Sequence, residues 1–223
     1  MLPRYERNIP SLTLEESQLL RTKKVAVIGC GGLGGYIIEQ LARLGIGTIR
    51  IVDGDVFEES NLNRQLFSDV TVLGKPKTEV SQARIAAVNP DVKVEALHGY
   101  LDEDNAADFL RGCDAVVGAL DNIYTRRVLE RNCEELGIPY VYGAIHGWVA
   151  QVAIDMPGQK LIQKMYPEGS TFKDKSSLSF TPGLCASLQT ALCVKLLVGR
   201  PVQTGTIFYF DMLEQEFETI PMA

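Results

Sequence analysis

The chain has 223 residues, of which 46% are hydrophobic and 22% charged, with 20 Gly and 10 Pro. That length buries one sizeable core, and the composition is that of a folded globular protein. A formal net charge of −6 with no strongly basic run argues against nucleic acid as the primary partner.

The first residues, MLPRYERNIPSLTLEES, lack the apolar core of a secretory signal. No charge-free stretch reaches the length of a membrane span. A cytoplasmic setting with no membrane partner is the expectation. Five cysteines, at 30, 113, 133, 185 and 193, are widely spaced and form no CxxC pair. With only two histidines there is no ordinary zinc motif, and buried thiols are expected.

Residues 1–20 are polar and mixed, with Ser11 or Thr13 as the cap of a short helix running through Glu15, Glu16 and Gln18 to Leu20. Residues 24–28 read as an apolar strand that ends in Gly29-Cys30-Gly31-Gly32-Leu33-Gly34-Gly35. Leu33, Ile37, Ile38, Leu41 and Leu44 then recur at helical spacing, with Gly45 or Gly47 as the stop. A second strand, 48–52, ends at Asp53-Gly54-Asp55. Residues 57–74 are irregular and polar; 77–88 predict a helix closed by Asn89-Pro90. A third strand at 92–97, helix at 105–110, fourth strand at 115–120, helix at 123–136 stopped by Gly137, and a fifth strand opening at 139–143 complete this half.

Strand and helix alternate from 24 to about 144, and the strands are apolar without strict alternation, which predicts parallel strands covered on both faces. The pattern then changes. Residues 148–154 read as a strand directly following the fifth. Residues 159–182 are loop-rich, 184–197 form a long apolar helix stopped by Gly199-Arg200-Pro201, and 206–212 with 216–220 form a hairpin. The expected fold class is α/β: a Rossmann-like, mainly parallel sheet flanked by helices and extended by antiparallel strands in the C-terminal third. One domain over 1–223 is expected, with an N-terminal arm and helix (1–22), a nucleotide-binding part (23–145) and a substrate-side extension (146–223).

Gly29, Gly31 and Gly34 fit G-x-G-x-x-G between a strand and a helix, the context in which that pattern points to a nucleotide. The first glycine serves the tight turn, the second the approach of phosphate, and the third close packing of helix on sheet. Asp53, ending the next strand, suits a ribose diol. This leaves two functions open, an NAD-dependent oxidoreductase and an ATP-consuming enzyme. His98 at a strand end and His146 in a turn after the fifth strand read first as ordinary polar surface, while Tyr142, His146 and Trp148 are candidates to border a substrate groove, with core packing the equal alternative for Trp148.

Asn61, Arg64, Gln65, Lys75 and Lys77 bring to the crevice a density of cations and amides that a carried dinucleotide does not need. A triphosphate that loses pyrophosphate does need it, because negative charge builds on the phosphates in transfer. Asp121, after the fourth strand, suits Mg²⁺; the plainer alternative is a neighbour of the helix cap at Asn122.

Arg4-Tyr5-Glu6-Arg7-Asn8, the loop at 27–34, Asp53-Gly54-Asp55, Ser60-Asn61-Leu62-Asn63-Arg64-Gln65, Gly74-Lys75-Pro76-Lys77, Leu120-Asp121-Asn122 and the helix from Gly183 to Gly199 together resemble the ubiquitin-activating (E1-like) superfamily. Within it they are most similar to the small bacterial MoeB/ThiF/HesA adenylyltransferases. The resemblance implies ATP and Mg²⁺ as cofactors, with Gly29, Gly31, Gly32 and Gly34 cradling phosphates and Asp53 holding the ribose. It implies Asn61, Arg64 and Lys77 at the phosphates, Gln65 and Asp55 in support, and Asp121 as the Mg²⁺ ligand. Arg7 resembles the arginine that reaches into the partner's site in this family's homodimers. The implied reaction joins AMP to the C-terminal glycine carboxylate of a small ubiquitin-like sulfur-carrier protein ending in Gly-Gly and releases pyrophosphate. Adenylation of another carboxylate, on a peptide, a metabolite or a tRNA-bound nucleoside, is the alternative.

The sequence departs from the family in two places. The paired CxxC motifs of many members are missing, so no zinc is expected. The loop at 164–182 has no cysteine, which leaves Cys185 as a weak candidate nucleophile and Cys193 a weaker one. No rhodanese-like segment follows, so any sulfur donor is expected to be a separate protein.

Overall fold

A computed structural model describes residues 2–171 and 176–222. Residues 172–175, inside the loop expected at 159–182, lie outside the described residues.

Eight strands form one sheet in the order β3-β2-β1-β4-β5-β6-β7-β8. They are β1 (Lys24–Ile28), β2 (Thr48–Asp53), β3 (Lys93–His98), β4 (Ala115–Gly118), β5 (Tyr140–His146), β6 (Val149–Asp155), β7 (Thr206–Asp211) and β8 (Glu216–Pro221). The first five are parallel to one another, and β6, β7 and β8 each run antiparallel to the preceding strand. The expected α/β class and the antiparallel extension are both present.

The parallel strands are apolar on both faces because both are covered. One face carries α1 (Leu14–Leu20), α2 (Gly32–Leu44), α3 (Lys77–Val88) and α7 (Phe180–Leu197), whose Leu20, Ile37, Ile38, Leu41, Ile85 and Val194 pack on Val25, Val27, Ile49, Ile51, Val117 and Val152. The other carries α4 (Ala106–Leu110), α5 (Ile123–Leu136) and α6 (Leu161–Met165), whose Leu110, Val128, Leu129 and Ile162 pack on Ala26, Ile28, Val116 and Tyr140. Burying each such side chain contributes roughly 1.5–3 kcal/mol.

Helix boundaries follow local chemistry. Thr13, rather than Ser11, caps α1 with a capping box closed by Glu16. Gly45 ends α2 in the left-handed conformation at φ 85°. The differences from the sequence reading have physical causes. α7 starts at Phe180, not at residue 184, because Pro182 falls in its first turn, where no backbone N–H is needed. A one-and-a-half-turn helix, α6, occupies part of the expected loop, anchored by its buried Leu161 and Ile162. A 3₁₀ helix, Pro3–Asn8, precedes α1. β4 ends at Gly118 rather than at 120, and His146 is the last residue of β5, not part of a turn.

Two features of the sheet make a site. Strand order reverses on either side of β1 and β4, which opens a crevice at their carboxyl ends. Beside it, β4 pairs with β5 only at Val116↔Tyr140 and Val117↔Val141, whereas β5 continues with β6 to His146↔Val149. The β5–β6 hairpin therefore overhangs the crevice by roughly 13 Å, four residues of strand beyond the level of Gly118. Gln189 of α7, fully buried, pins this junction by donating from Nε2 to Gly118 O at 2.9 Å and Val141 O at 3.3 Å. By length and composition α7 is apolar enough to cross a membrane, but half of it is buried in this packing.

Candidate active site

The glycine loop is built by steric necessity at two positions. Gly29 has φ 99°, and a side chain there would also meet Ala119 O at 2.5 Å. At Gly34 a Cβ would lie 1.8 Å from Gly29 O, so the start of α2 packs directly on the loop that precedes it. Gly34 thus lies beneath the site and does not line it, a correction to its expected place among phosphate-binding residues: its role is contact between backbone and backbone. Gly31 is different. Its Cβ position meets nothing closer than the Gln65 amide at 3.5 Å, so the fold itself does not require a glycine there. Gly31 also provides no side chain to cap α2, and N–H groups of the first helical turn have no partner within the helix. A helix N-terminus open in this way suits a phosphate.

Asp53 closes β2 next to this loop. Its Oδ2 accepts from Cys30 N at 2.6 Å and its Oδ1 from Asp55 N at 2.8 Å. Burial pushes its carboxyl above the ordinary range despite these hydrogen bonds and the nearby Lys77. Asp55 behaves in the opposite way. Burial acts to raise it, but hydrogen bonds from Lys77 and Tyr100 outweigh that and hold it below the ordinary range. The Lys77 Nζ to Asp55 Oδ2 distance is 2.8 Å, and Lys77 N also donates to Asp55 O at 3.0 Å, which ties the first residue of α3 to the end of β2.

The segment at 60–65 folds around Asn61. Its Oδ1 accepts from Glu58 N at 3.0 Å, and its carbonyl accepts from Arg64 N and Gln65 N. The resulting turn brings Arg64 and Gln65 to the rim of the glycine loop. Arg64 Nη1 rests on Ser60 O at 3.0 Å and Asn63 Oδ1 at 2.9 Å. Gln65 is buried beside Gly31, and its Oε1 has no hydrogen-bond partner. A buried amide atom left without a partner is costly, which fits a group that a ligand completes.

After β4 the two readings of residues 121–122 separate. Asn122 is the cap of α5, its Oδ1 accepting from Thr125 N at 2.8 Å. Asp121, the residue before that cap, lines the cavity. Mg²⁺ is commonly held by one or two carboxylates plus substrate phosphates, so a single aspartate at this place fits it. Among the described residues no group of three or more His, Cys, Asp or Glu is arranged to hold a metal ion.

Gly29, Gly31, Gly32, Asp53, Asp55, Asn61, Arg64, Gln65, Lys77 and Asp121 thus line one cavity of about 780 Å³. Arg7 does not. It sits on the N-terminal 3₁₀ helix, where Tyr5 packs on Gly45 and its hydroxyl accepts from Asn89, at the far ends of α2 and α3. α2 has thirteen residues, about 20 Å, which separates Arg7 from the glycine loop of its own chain. His98 is outside the cavity, while His146 lines it.

The sequence reading missed several lining residues. Tyr100, just beyond β3, covers Gly54 and donates to Asp55 Oδ1 at 2.8 Å. Arg126, in the first turn of α5, is 3% exposed, donates to Gly143 O at 2.9 Å and to Leu120 O, and stacks on the Tyr142 ring. It bridges the ends of β4 and β5. Gln151 faces Ala144 across the overhanging hairpin, as Val149 faces His146, and all four line the cavity. Tyr166 closes that side with its hydroxyl 2.5 Å from Tyr142's. An arginine one turn after a helix cap was visible as a signal in the sequence; the others depend on strand register.

Cys185 is fully buried, with its thiol directed at Ala144 O and Gln151 O, and burial pushes it up to about 12. Cys193 is equally buried and also pushed up to about 12. Neither carries the thiolate a nucleophile needs.

A family profile described as the ThiF family matches residues 5–223. The chain is 34% identical over 229 residues to the SAMP-activating enzyme E1 of Haloferax volcanii, across 99% of this chain and 85% of that protein. It is 34% identical to the sulfur carrier protein adenylyltransferase of Thermus thermophilus, across 98% and 86%. Its fold is similar to that of Escherichia coli MccB crystallised with MccA-N7isoASN, with a TM-score of 0.86 at 23% identity over 99% of this chain and 72% of that one.

Proposed function

The chain belongs to the ThiF family, and from that premise we propose that it is an ATP-dependent adenylyltransferase acting on the C-terminal glycine carboxylate of a small ubiquitin-like sulfur-carrier protein. The observation that carries this reading is the gathering of Arg64, Lys77 and Asp121 around one open helix N-terminus at the glycine loop. Support for the acyl substrate comes from the curated relatives, named as a SAMP-activating enzyme and a sulfur carrier protein adenylyltransferase.

In the proposed reaction a carboxylate oxygen of the carrier attacks the α-phosphorus of ATP. An acyl–phosphate bond forms, the bond to the departing pyrophosphate breaks, and no proton moves. A carboxylate is already ionised at neutral pH, so the enzyme needs no general base. Its residues orient the two substrates and stabilise charge. Asp53 holds the ribose, Gly31 and Gly32 let the phosphates approach backbone N–H groups, and the unpaired Gln65 Oε1, an acceptor, takes a hydrogen bond from an O–H or N–H donor of the nucleotide. Asn61 supports the phosphate contacts while Arg64 and Lys77 take up the charge that builds on the α-phosphorus and on the pyrophosphate. Mg²⁺, held by Asp121, would neutralise phosphate charge when bound. The overhanging hairpin, with Ala144, His146, Val149 and Gln151, guides the carrier's tail toward the α-phosphorus.

Arg7 is proposed to complete the site of a second copy, making the active form a homodimer. An acceptor outside the chain, a thiol, sulfide or amine, is proposed to discharge the adenylate, with sulfur from a separate donor.

Exchange of labelled pyrophosphate into ATP tests the reading, with small ubiquitin-like proteins ending in Gly-Gly as the panel. Exchange that requires one of these carriers supports it. Exchange with other carboxylates alone would move the assignment to a different acyl substrate.

A further inference from the structure

Tyr100 stands at the rim of the cavity just beyond β3, in a stretch that belongs to none of the motifs around the glycine loop. Its ring lies over Gly54, where an added Cβ would come within 2.7 Å of it. Its hydroxyl donates to Asp55 Oδ1 at 2.8 Å, while Lys77 Nζ takes Oδ2 at 2.8 Å. Both carboxylate oxygens of Asp55 are therefore engaged, each by a different donor.

The two partners of Asp55 differ in exposure. The Lys77 side chain is 7% exposed and that of Asp55 50%. A buried ammonium takes its direction from its counter-ion, whereas a half-exposed carboxylate held by one donor is free to turn toward water. Tyr100 supplies the second donor and leaves Asp55 one orientation. A lysine ammonium has three donors, and only one is spent on Asp55. The other two remain for an anion in the cavity.

We infer that Tyr100 is a positioning residue for polyphosphate binding: by pinning Asp55, it fixes the direction in which Lys77 presents its remaining N–H groups to the nucleotide. The inference rests on the proposal that the cavity binds ATP. It differs from base stacking, because the effect passes through Asp55 and Lys77 and depends on phosphate.

Tyr100→Phe removes the hydroxyl and keeps the ring. Tyr100 is 69% exposed, so this change leaves the core intact. Calorimetric titration of the full chain with Mg·ATP and with adenosine reads the effect. Tyr100→Phe is expected to raise the Kd for Mg·ATP about three- to tenfold, the net worth of one hydrogen bond, and to leave the Kd for adenosine unchanged. In a Lys77→Met background the same change is expected to add nothing. Asp55→Asn provides a second background should the Lys77 variant fail to fold. Unchanged or tighter Mg·ATP binding, an equal loss for adenosine, or full additivity in these backgrounds overturns the inference. Failure of the unaltered chain to bind Mg·ATP overturns the ATP reading instead.

Discussion

The cavity has two sides of different construction. The side proposed for the nucleotide is made of loops at the ends of β1, β2 and β4, where motifs of three to six consecutive residues each deliver a functional group. The side proposed for the acyl group is made of the β5–β6 hairpin and Tyr166, where single residues reach the cavity because of strand register. The first is dense in charge and shaped around a fixed ligand. The second is lined by small and neutral groups, Ala144, Val149 and Gln151, with one histidine. A site that must stabilise phosphate charge in every turnover has little freedom, whereas the wall that receives an acyl group is free to differ with the substrate.

The largest effects are expected on the nucleotide side. Arg64→Ala and Asp121→Ala are each expected to lower ATP–pyrophosphate exchange by about 10²- to 10³-fold, the usual consequence of removing one transition-state charge partner. Both residues are outside the core, so circular dichroism and Tm should stay at their original values; normal exchange in either variant would sink the assignment. Arg7→Ala is expected to lose activity similarly, and mixing it with Asp121→Ala tests the two-copy site. If Arg7 acts in trans, random re-pairing restores about a quarter of the original activity, through the one intact site in each hybrid dimer. If mixing restores nothing, Arg7 has another role.

On the acyl side the effects should be smaller and of another kind. Gln151→Ala and His146→Ala are expected to raise the KM for the carrier several-fold, with Mg·ATP affinity unchanged, as for loss of one or two hydrogen bonds. A matching loss of ATP affinity would erase the distinction between the sides. Cys185→Ala should leave exchange intact and cost about 1 kcal/mol of stability, since it removes one small buried side chain. A thiol-labile adduct between chain and carrier that forms with the original chain and is absent in Cys185→Ala would restore the cysteine as a nucleophile.

The last effect lies outside the cavity and concerns stability, not activity. Burial first, and then the carboxyl of Glu130, push Asp155 up to about 7. For an acid whose folded value is raised, the unfolded chain releases its proton first, so stability falls as pH rises from about 4 to about 7. Asp155→Asn should flatten that part of the Tm profile. A slope that survives the substitution would assign it to other groups.

The same contrast explains what was legible in the sequence. The alternation of apolar strands and amphipathic helices gave the α/β class, and the stretches around residues 29–34, 53–55, 60–65, 74–77 and 120–122 pointed to one shared cavity because each is contiguous. The start of α7 was missed because Pro182 reads as a stop, although the first turn of a helix tolerates it. For Gly34 the glycine pattern pointed to close packing, as its contact with Gly29 bears out, and only the family resemblance put it at the phosphates. Gln151 and Tyr166 have no motif. They meet because β5 outruns β4 and because α6 folds back beneath α5, neither of which a local pattern encodes.

The central claim is the chemical one, that this chain joins AMP to a carrier's terminal carboxylate. Intact-mass spectrometry of a Gly-Gly-ending carrier, after incubation with the chain and Mg·ATP in the presence of pyrophosphatase, reads that bond directly. The predicted result is a carrier heavier by one adenylyl group, absent when its last glycine is removed or when Arg64→Ala replaces the original chain. A carrier of unchanged mass, from a chain that binds Mg·ATP and carrier together, would contradict it.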